Sequence, residues 1–136
     1  MSSADGSAIV GVGVDLIAVE RVADAVARRP GLLTKLFTVS ERATIERGSS
    51  SSAKMRSLAG RFAAKEAVMK ALGAGIGQVA FSEVEIGGGR GSSPHVSLTG
   101  RAAERASAMG VRSIALSMSH DSGMAIAMAV ATRVDS

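Results

Sequence analysis

The sequence places one carboxylate, Glu66, among the apolar residues of a long helical pattern. It falls on the helix stripe formed by Met55, Leu58, Phe62, Met69 and Leu72. A carboxylate on such a stripe must be paired, protonated or bound to a metal, because an isolated buried charge is too costly. One interpretation is an ion pair with Lys70, one helical turn further on. The other is an oxygen ligand for a hard cation such as Mg²⁺ or Mn²⁺.

Cations surround Glu66 in the same helical pattern. Lys54, Arg61 and Lys65 project from one flank of the predicted helix, and Lys70 projects from the other. Such charges usually form a solvated helix face. Next to a carboxylate that binds a cation, they also suit the binding of phosphate groups.

A second carboxylate, Asp15, ends the first predicted strand. Gly11 and Gly13 point to the same side of that strand and leave space for a backbone, a side chain or a ligand. The alternative is that Asp15 caps the following helix or turn. The strand pattern alone leaves both interpretations open.

The glycine-rich stretch over residues 73–77 follows a helix rather than a strand. It is therefore not a dinucleotide-binding fingerprint. A left-handed helix cap at Gly73, followed by a turn, fits this stretch better than a phosphate cradle does.

The composition excludes several classes of chemistry. There is no cysteine and there are only two histidines, so thiolate metal sites, a cysteine nucleophile and a three-histidine zinc site are impossible. We find no Ser-His-Asp arrangement.

The net charge of +4 favours anionic partners, namely phosphate-rich cofactors, acidic proteins or nucleic acid. Nucleic acid is the least favoured of these, because three Phe and no Trp or Tyr give a thin surface for base stacking.

The hydrophobic periodicities predict one α+β domain over residues 8–136, preceded by a disordered N-terminus over residues 1–7. An antiparallel sheet is expected to pack on one long helix. The predicted helices are 18–28, 32–37, 38–47, 53–72 and 101–109, and the predicted strands are 9–15, 81–86, 95–99, 111–119 and 124–132, with a turn over 87–94. The chain lacks a membrane-helix pattern and a secretory signal, so we expect a cytoplasmic protein with no membrane partner.

The last predicted hairpin alternates large residues with small ones. In its second strand the large side chains, which share one face, are Met124, Ile126, Met128 and Val130. Neither face of the hairpin carries the charges expected of a solvated sheet, so both faces need cover. The long helix suits one face, and either the remaining helices or other copies of the chain cover the second.

Three segments together resemble the holo-acyl-carrier-protein synthase family. The first is G-V-G-V-D at 11–15, followed by Arg21. The second is R-F-A-A-K-E-A at 61–67, continuing to K-A at 70–71 and G-A-G-I at 73–76. The third is S-M-S-H at 117–120, before the alanine-rich strand 125–131. In this order the segments extend over nearly the whole chain, and they imply the phosphopantetheinyl transferase fold.

The resemblance implies a role for each matching residue. Asp15 and Glu66 are expected to bind Mg²⁺ together with the pyrophosphate of coenzyme A, and Lys70 is expected near the reacting phosphate. The residues expected in the coenzyme A site are Arg61, Lys65, Gly73 and His120. The first helix is expected to dock the acidic carrier protein through Arg21 and Arg28. Members of the family are typically homotrimers with active sites between subunits.

The implied reaction moves 4′-phosphopantetheine from coenzyme A to a serine of an apo acyl-carrier protein or carrier domain, in support of fatty-acid biosynthesis. Adenosine 3′,5′-bisphosphate leaves, Mg²⁺ is the expected cofactor, with Mn²⁺ as a substitute, and coenzyme A is the substrate. The nucleophile belongs to the carrier, which agrees with the absence of cysteine from this chain.

Three positions depart from the family pattern, which often has Phe, Thr and Lys where this chain has Leu72, Ala74 and Ser93. They leave the details of the nucleotide pocket and the preferred carrier open. Two other hypotheses remain besides membership of the holo-acyl-carrier-protein synthase family. The first is a basic module that binds nucleotides or RNA, in which Glu66 and Lys70 form a structural ion pair. The second is a domain of this fold that acts only within a larger synthase system.

Overall fold

The computed structural model describes residues 7–75, 77–89 and 91–135. Along the chain its elements are β1 (Ile9–Ala18), α1 (Val19–Arg28), α2 (Gly31–Leu36), α3 (Val39–Glu46), α4 (Ser51–Ala71), a 3₁₀ turn (Phe81–Glu83), β2 (Val84–Gly89), β3 (Ser92–Leu98), α5 (Gly100–Met109), β4 (Ser113–Asp121) and β5 (Met124–Thr132). The predicted α+β class, with antiparallel strands and one long helix, is confirmed. The predicted disordered N-terminus falls mostly on residues 1–6, which lie outside the described residues.

The main sheet has the strand order β1-β5-β4 and packs one face on α4. The small side chains of β5 on this face, namely Ala125, Ala127, Ala129 and Ala131, are all buried. Gly11 and Gly13 of β1 are also required here, because a Cβ on either would lie 1.9 Å from a carbonyl oxygen of α4. The space that the sequence indicated beside these glycines is therefore occupied by the helix backbone. Asp15, on the same side of β1, is thereby brought next to α4.

The ends of α4 are fixed by local hydrogen bonds. At the start, Ser50 Oγ accepts from a backbone N–H of the first turn at 3.0 Å. At the other end Gly73 has a φ of +62°, as predicted for a left-handed cap. The N–H groups of Gly73 and Ala74 donate back to the carbonyls of Lys70 and Met69. These hydrogen bonds fix the last turn of α4, which carries Lys70.

β2 and β3 form a separate two-stranded hairpin, which differs from its prediction. Residues 81–83 form a 3₁₀ turn rather than the start of a strand, and the strands extend into the predicted turn as far as Gly89 and from Ser92. Glu83 explains the first difference, because its carboxylate accepts from the backbone N–H groups of Ala80 at 2.7 Å and Arg101 at 2.9 Å. These bonds stabilise the helical turn and lower the pKa of Glu83.

The second face of the main sheet is apolar and lies open. Val14 pairs with Met128 and Leu16 pairs with Ile126 across β1 and β5, so their side chains share that face. Leu16 is 60% exposed and Met128 is 48% exposed. Within the described part of the chain, the helices therefore leave this face uncovered. The predicted cover by the remaining helices is therefore not observed among the described residues, and cover by other copies of the chain stays a prediction.

Candidate active site

Asp15 and Lys70 meet where β1 passes the end of α4. Lys70 Nζ donates to Asp15 Oδ1 at 3.3 Å and to the Val14 carbonyl at 2.9 Å. Asp15 Oδ2 is buried and has no hydrogen-bond partner among the described residues. Lys70 thus pairs with Asp15, and the alternative ion pair between Lys70 and Glu66 is wrong. The alternative role of Asp15 as a cap of α1 is also wrong, because α1 begins without a side-chain cap.

Glu66 lies partly buried beside this pair. Burial raises the pKa of Glu66, and the nearby Asp15 carboxylate raises it further, whereas the Lys70 ammonium acts in the opposite direction. The negative charge at this point is therefore not fully compensated by the protein's own cations. Two neighbouring carboxylates with one unpartnered oxygen fit a hard divalent cation such as Mg²⁺.

Asp15 and Glu66 would supply only part of a metal's coordination. The described residues contain no group of three or more His, Cys, Asp or Glu placed to hold a metal ion. The remaining ligands of a cation at this point would be oxygens of a bound substrate or of water, which is the usual arrangement for Mg²⁺ at phosphate sites.

Glu66 and Lys70 open onto a cleft of about 380 Å³, called here the carboxylate cleft. Its lining includes Lys35, Glu66, Met69, Lys70, Phe81 and Arg101. Two of its cations, Lys35 and Arg101, were missed by the sequence reasoning. They come from α2 and the start of α5, and no local pattern signals that these elements meet beside α4. The cleft combines apolar walls with three cations and one carboxylate, which suits a ligand that carries both a phosphate and an uncharged arm.

A second cleft of about 280 Å³, called here the arginine cleft, has a lining that includes Arg56, Ser57, Gly60, Arg61, Met118 and His120. Arg61 donates to Ser57 Oγ at 2.9 Å and to the Gly88 carbonyl at 3.0 Å. Its Nε is buried without a partner among the described residues, and burial lowers the pKa of its guanidinium. The structure thus brings Arg61 and His120 together, as the family resemblance implied, in a cationic cleft with hydroxyl groups.

The two clefts share no lining residue. Arg61 and Glu66 are five residues apart on α4, which separates them by about 140° around the helix axis. Within one copy of the chain, the proposed metal ligands and the pair Arg61 and His120 therefore belong to different surfaces.

Lys65 is not among the described lining residues of either cleft, and its role as a coenzyme A ligand stays a prediction. Its side chain is fully buried, and Nζ lies 2.7 Å from Glu41 Oε1. Nζ also donates to the carbonyls of Phe81 at 2.9 Å and Val84 at 2.7 Å, so all three of its protons are engaged. Burial lowers the pKa of Lys65, and the hydrogen bond with Glu41 opposes this. Lys65 therefore joins α3 and the 3₁₀ turn to α4.

Gly73 has a structural role at the end of α4, and its role in binding coenzyme A stays a prediction. Its carbonyl accepts from Arg105 Nη2 at 2.6 Å, and the Leu72 carbonyl accepts from Arg105 Nε at 2.6 Å. Gly73 lines neither of the two clefts. Arg105, a residue of α5, thus caps α4 by donating hydrogen bonds to the carbonyl groups at its C-terminal end.

We expect Lys65→Met to lower the free energy of unfolding by about 3–5 kcal/mol, because it leaves the Glu41 carboxylate buried without its cation. Adding Glu41→Gln should recover part of this loss. The amide buries no charge, and its single oxygen still accepts from one of the backbone N–H groups of Thr38 and Ile86, while the other N–H loses its acceptor, which is why the recovery is only partial. Urea denaturation of the wild type, both single variants and the double variant measures the effect. A folded double variant that had lost affinity for coenzyme A would support a direct role of Lys65 in binding coenzyme A.

Arg21 and Arg28 are both exposed on α1, turned about 100–120° around the helix axis from the buried Val22. They are seven residues apart, so they share one face of the helix. Neither side chain forms an ion pair within the described ranges. Both are thus available to an acidic partner, although their role in docking stays a prediction.

The family model that matches this chain describes the 4′-phosphopantetheinyl transferase superfamily and matches residues 11–129. Relatives named holo-[acyl-carrier-protein] synthase cover nearly all of the chain. One from Frankia casuarinae is 44% identical over 124 residues, which are 91% of this chain and 98% of the relative. One from Desulforudis audaxviator is 44% identical over 124 residues, which are 90% and 92% of the two chains.

Solved structures of proteins with the same name have the same fold. The holo-[acyl-carrier-protein] synthase of Helicobacter pylori in complex with coenzyme A gives a TM-score of 0.75 at 31% identity, over 89% of this chain and 99% of that chain. The holo-ACP-synthase of Plasmodium yoelii gives a TM-score of 0.79 at 29% identity, over 93% and 97%. The predicted family resemblance and fold are confirmed.

Proposed function

We propose a phosphopantetheine-transfer function for this chain, which belongs to the 4′-phosphopantetheinyl transferase superfamily. The chain is proposed to move 4′-phosphopantetheine from coenzyme A to a serine of an apo acyl-carrier protein or carrier domain. Adenosine 3′,5′-bisphosphate is the second product, and the holo-carrier serves fatty-acid biosynthesis. The observation that carries the proposal is the cluster of Asp15, Glu66 and Lys70, of which Glu66 and Lys70 line the carboxylate cleft; within it, Asp15 Oδ2 is buried without a hydrogen-bond partner among the described residues.

The transfer breaks one bond of the pyrophosphate in coenzyme A. The serine hydroxyl gives up its proton to a base, and its oxygen bonds to the phosphorus that carries the pantetheine, while the bond from that phosphorus to the bridging oxygen breaks. The electron pair of the broken bond leaves on adenosine 3′,5′-bisphosphate. Catalysis of such a step consists mainly of positioning the groups and compensating negative charge.

Asp15 and Glu66 would hold Mg²⁺, or Mn²⁺ in its place. A divalent cation bound there supplies positive charge to the pyrophosphate oxygens. Lys70 donates hydrogen bonds to Asp15 and to the Val14 carbonyl, and these bonds place its ammonium group beside the proposed cation site. The apolar walls formed by Met69 and Phe81 exclude water from the neighbouring part of the cleft.

A homotrimer with active sites between subunits is part of the same proposal. The open apolar face of the main sheet needs cover, and the two clefts belong to different surfaces of one copy. Assembly through the sheet face would let the arginine cleft of one copy face the carboxylate cleft of the next. Coenzyme A would then bind its nucleotide end beside Arg61 and His120 and its pyrophosphate beside Glu66.

A cytoplasmic location also belongs to the proposal, because coenzyme A and carrier proteins are its substrates. None of the helices in the described ranges combines the length and the apolar character that crossing a membrane requires.

Mass spectrometry of a carrier protein tests the function directly. The protein is incubated with coenzyme A, Mg²⁺ and an apo-carrier, and the carrier should gain the mass of one phosphopantetheine group while adenosine 3′,5′-bisphosphate is released. A parallel reaction with a chelator in place of Mg²⁺ should leave the carrier unchanged. Binding of coenzyme A without any transfer to several apo-carriers would favour the nucleotide-binding module instead.

Lys70→Ala should lower kcat more than it weakens the binding of coenzyme A. The expected loss is about 10²-fold in kcat, since the ammonium acts on charge that develops during transfer. Single-turnover kinetics and the Kd for coenzyme A separate the two effects. If only the Kd changed, Lys70 would be a pocket residue without a part in the chemical step.

Arg21→Glu should raise the KM for the carrier, with little effect on the Kd for coenzyme A. An exposed cation on α1 attracts an acidic partner, and its reversal repels one. The KM of the wild type should also rise with ionic strength, because the attraction between exposed charges is screened by salt. Arg21→Lys, which keeps the charge, serves as the matched control and should stay close to the wild type. A KM that does not respond to salt would argue against electrostatic docking.

A further inference from the structure

Gly60 lies in the interior of α4, where glycine lowers the stability of the helix. Glycine in a helix is less favourable than alanine, because it loses more backbone freedom on folding and contributes no side chain. Gly60 does not have the positive φ that would make glycine necessary. The backbone of α4 therefore gives no reason for its presence.

Packing within the chain does not require Gly60 either. Among the described residues, an added Cβ would meet only Met118 Cε, at 3.2 Å, which is the free end of a flexible side chain. Gly11 and Gly13 form the contrast, since a Cβ on either would lie 1.9 Å from a carbonyl oxygen of α4. A methyl group at position 60 is thus compatible with the fold, whereas at 11 or 13 it is not.

The remaining feature of Gly60 is its place in the arginine cleft. It forms part of the lining together with Arg56, Arg61 and His120. These side chains suit phosphate groups, and Met118 in the same lining offers an apolar surface. A ligand with a flat ring and phosphates matches this mixture, and the bare helix backbone at Gly60 lets such a ring approach α4 closely.

We propose that Gly60 determines the ligand specificity of the arginine cleft, because the space left by its missing side chain admits the adenosine 3′,5′-bisphosphate end of coenzyme A. The inference rests on the proposed function, since that function supplies the ligand. The pantetheine end is a long flexible arm with amide groups, and it does not match the concentration of cations in this cleft. The absent side chain thus costs helix stability and contributes to substrate binding.

The test compares Gly60→Ala with Gly31→Ala. Gly31 is a helical glycine of α2. In the part of the chain that the structure describes, its added Cβ would meet nothing within 4 Å, and it lines neither cleft. Both variants should have a Tm equal to or above that of the wild type. Gly60→Ala should weaken the binding of adenosine 3′,5′-bisphosphate about tenfold, as expected for an extra methyl group in a fitted contact. Gly31→Ala should bind it like the wild type. Isothermal calorimetry gives both Kd values, and 4′-phosphopantetheine is measured as a second ligand.

Each outcome bears on one claim. Adenosine 3′,5′-bisphosphate affinity of Gly60→Ala within twofold of the wild type overturns the inference, and so does a fall in its Tm, which would mean that packing needs the glycine. A loss confined to 4′-phosphopantetheine overturns the assignment of the nucleotide end. Wild-type protein that binds neither ligand and modifies no carrier contradicts the proposed function itself, and that result is visible before any variant is made.

Discussion

Glu66→Gln and Asp15→Asn should each abolish most turnover while the fold remains intact. Each substitution removes one of the two carboxylates proposed to hold the divalent cation, and the loss of a metal's charge stabilisation corresponds to about 10³-fold or more in kcat. The double variant should be little worse than either single variant, because either change disables the same site. Transfer assays at saturating Mg²⁺ measure these effects. Near-normal Mg²⁺-dependent activity in either single variant would falsify the shared-metal assignment.

The same variants should separate activity from stability. The pKa of Glu66 is raised in the folded protein, so the metal-free fold loses stability as the pH rises through that pKa. Glu66→Gln removes this ionisation and should leave the metal-free protein at least as stable as the wild type at neutral pH. Mg²⁺ should raise the Tm of the wild type but not that of Glu66→Gln or Asp15→Asn. Glu104→Gln, on the exposed side of α5, is the matched control and should respond to Mg²⁺ like the wild type.

Features that depend on neighbouring residues could be predicted from the sequence. The left-handed cap predicted at Gly73 is confirmed, because it is set by bonds within one turn of chain. The alternation in β5 also predicted its faces, with the alanines buried against α4 and Met128 exposed on the other side. In these segments the local pattern and the tertiary contacts favour the same structure.

Features that depend on distant partners could not be predicted. Lys65 was interpreted as a surface cation, but Glu41 lies 24 residues earlier in the chain and nothing near Lys65 indicates that the two meet. The pairing of Lys70 with Asp15 could not be predicted for the same reason, since Asp15 reaches Lys70 only through the packing of β1 on α4. The sequence suggested an ion pair with Glu66 because Glu66 and Lys70 are one helical turn apart. A local pattern cannot distinguish a charge that faces solvent from one whose partner arrives from another element.

The open sheet face gives the second prediction of large effect. Val14, Leu16, Ile126 and Met128 form a continuous apolar surface that is between 40% and 60% exposed in one copy. Contiguous apolar surface of this kind is typical of an interface. We expect one species of three times 13.7 kDa by light scattering at micromolar concentration. Three copies would enclose the face in a shared centre, and each active site would take one cleft from each of two neighbours.

Met128→Glu should break the assembly and the activity together. Three carboxylates at a shared apolar centre would each lose hydration without a partner and would repel one another, so the trimer should dissociate. Transfer should fall by about 10²-fold or more, because a separated copy keeps Glu66 and Lys70 but loses the neighbour's arginine cleft. Val39→Glu is the matched control, since Val39 is 74% exposed on α3 and does not belong to the sheet face; this variant should stay trimeric and active. A Met128→Glu monomer that is stable and fully active would contradict both the interface and the site shared between subunits.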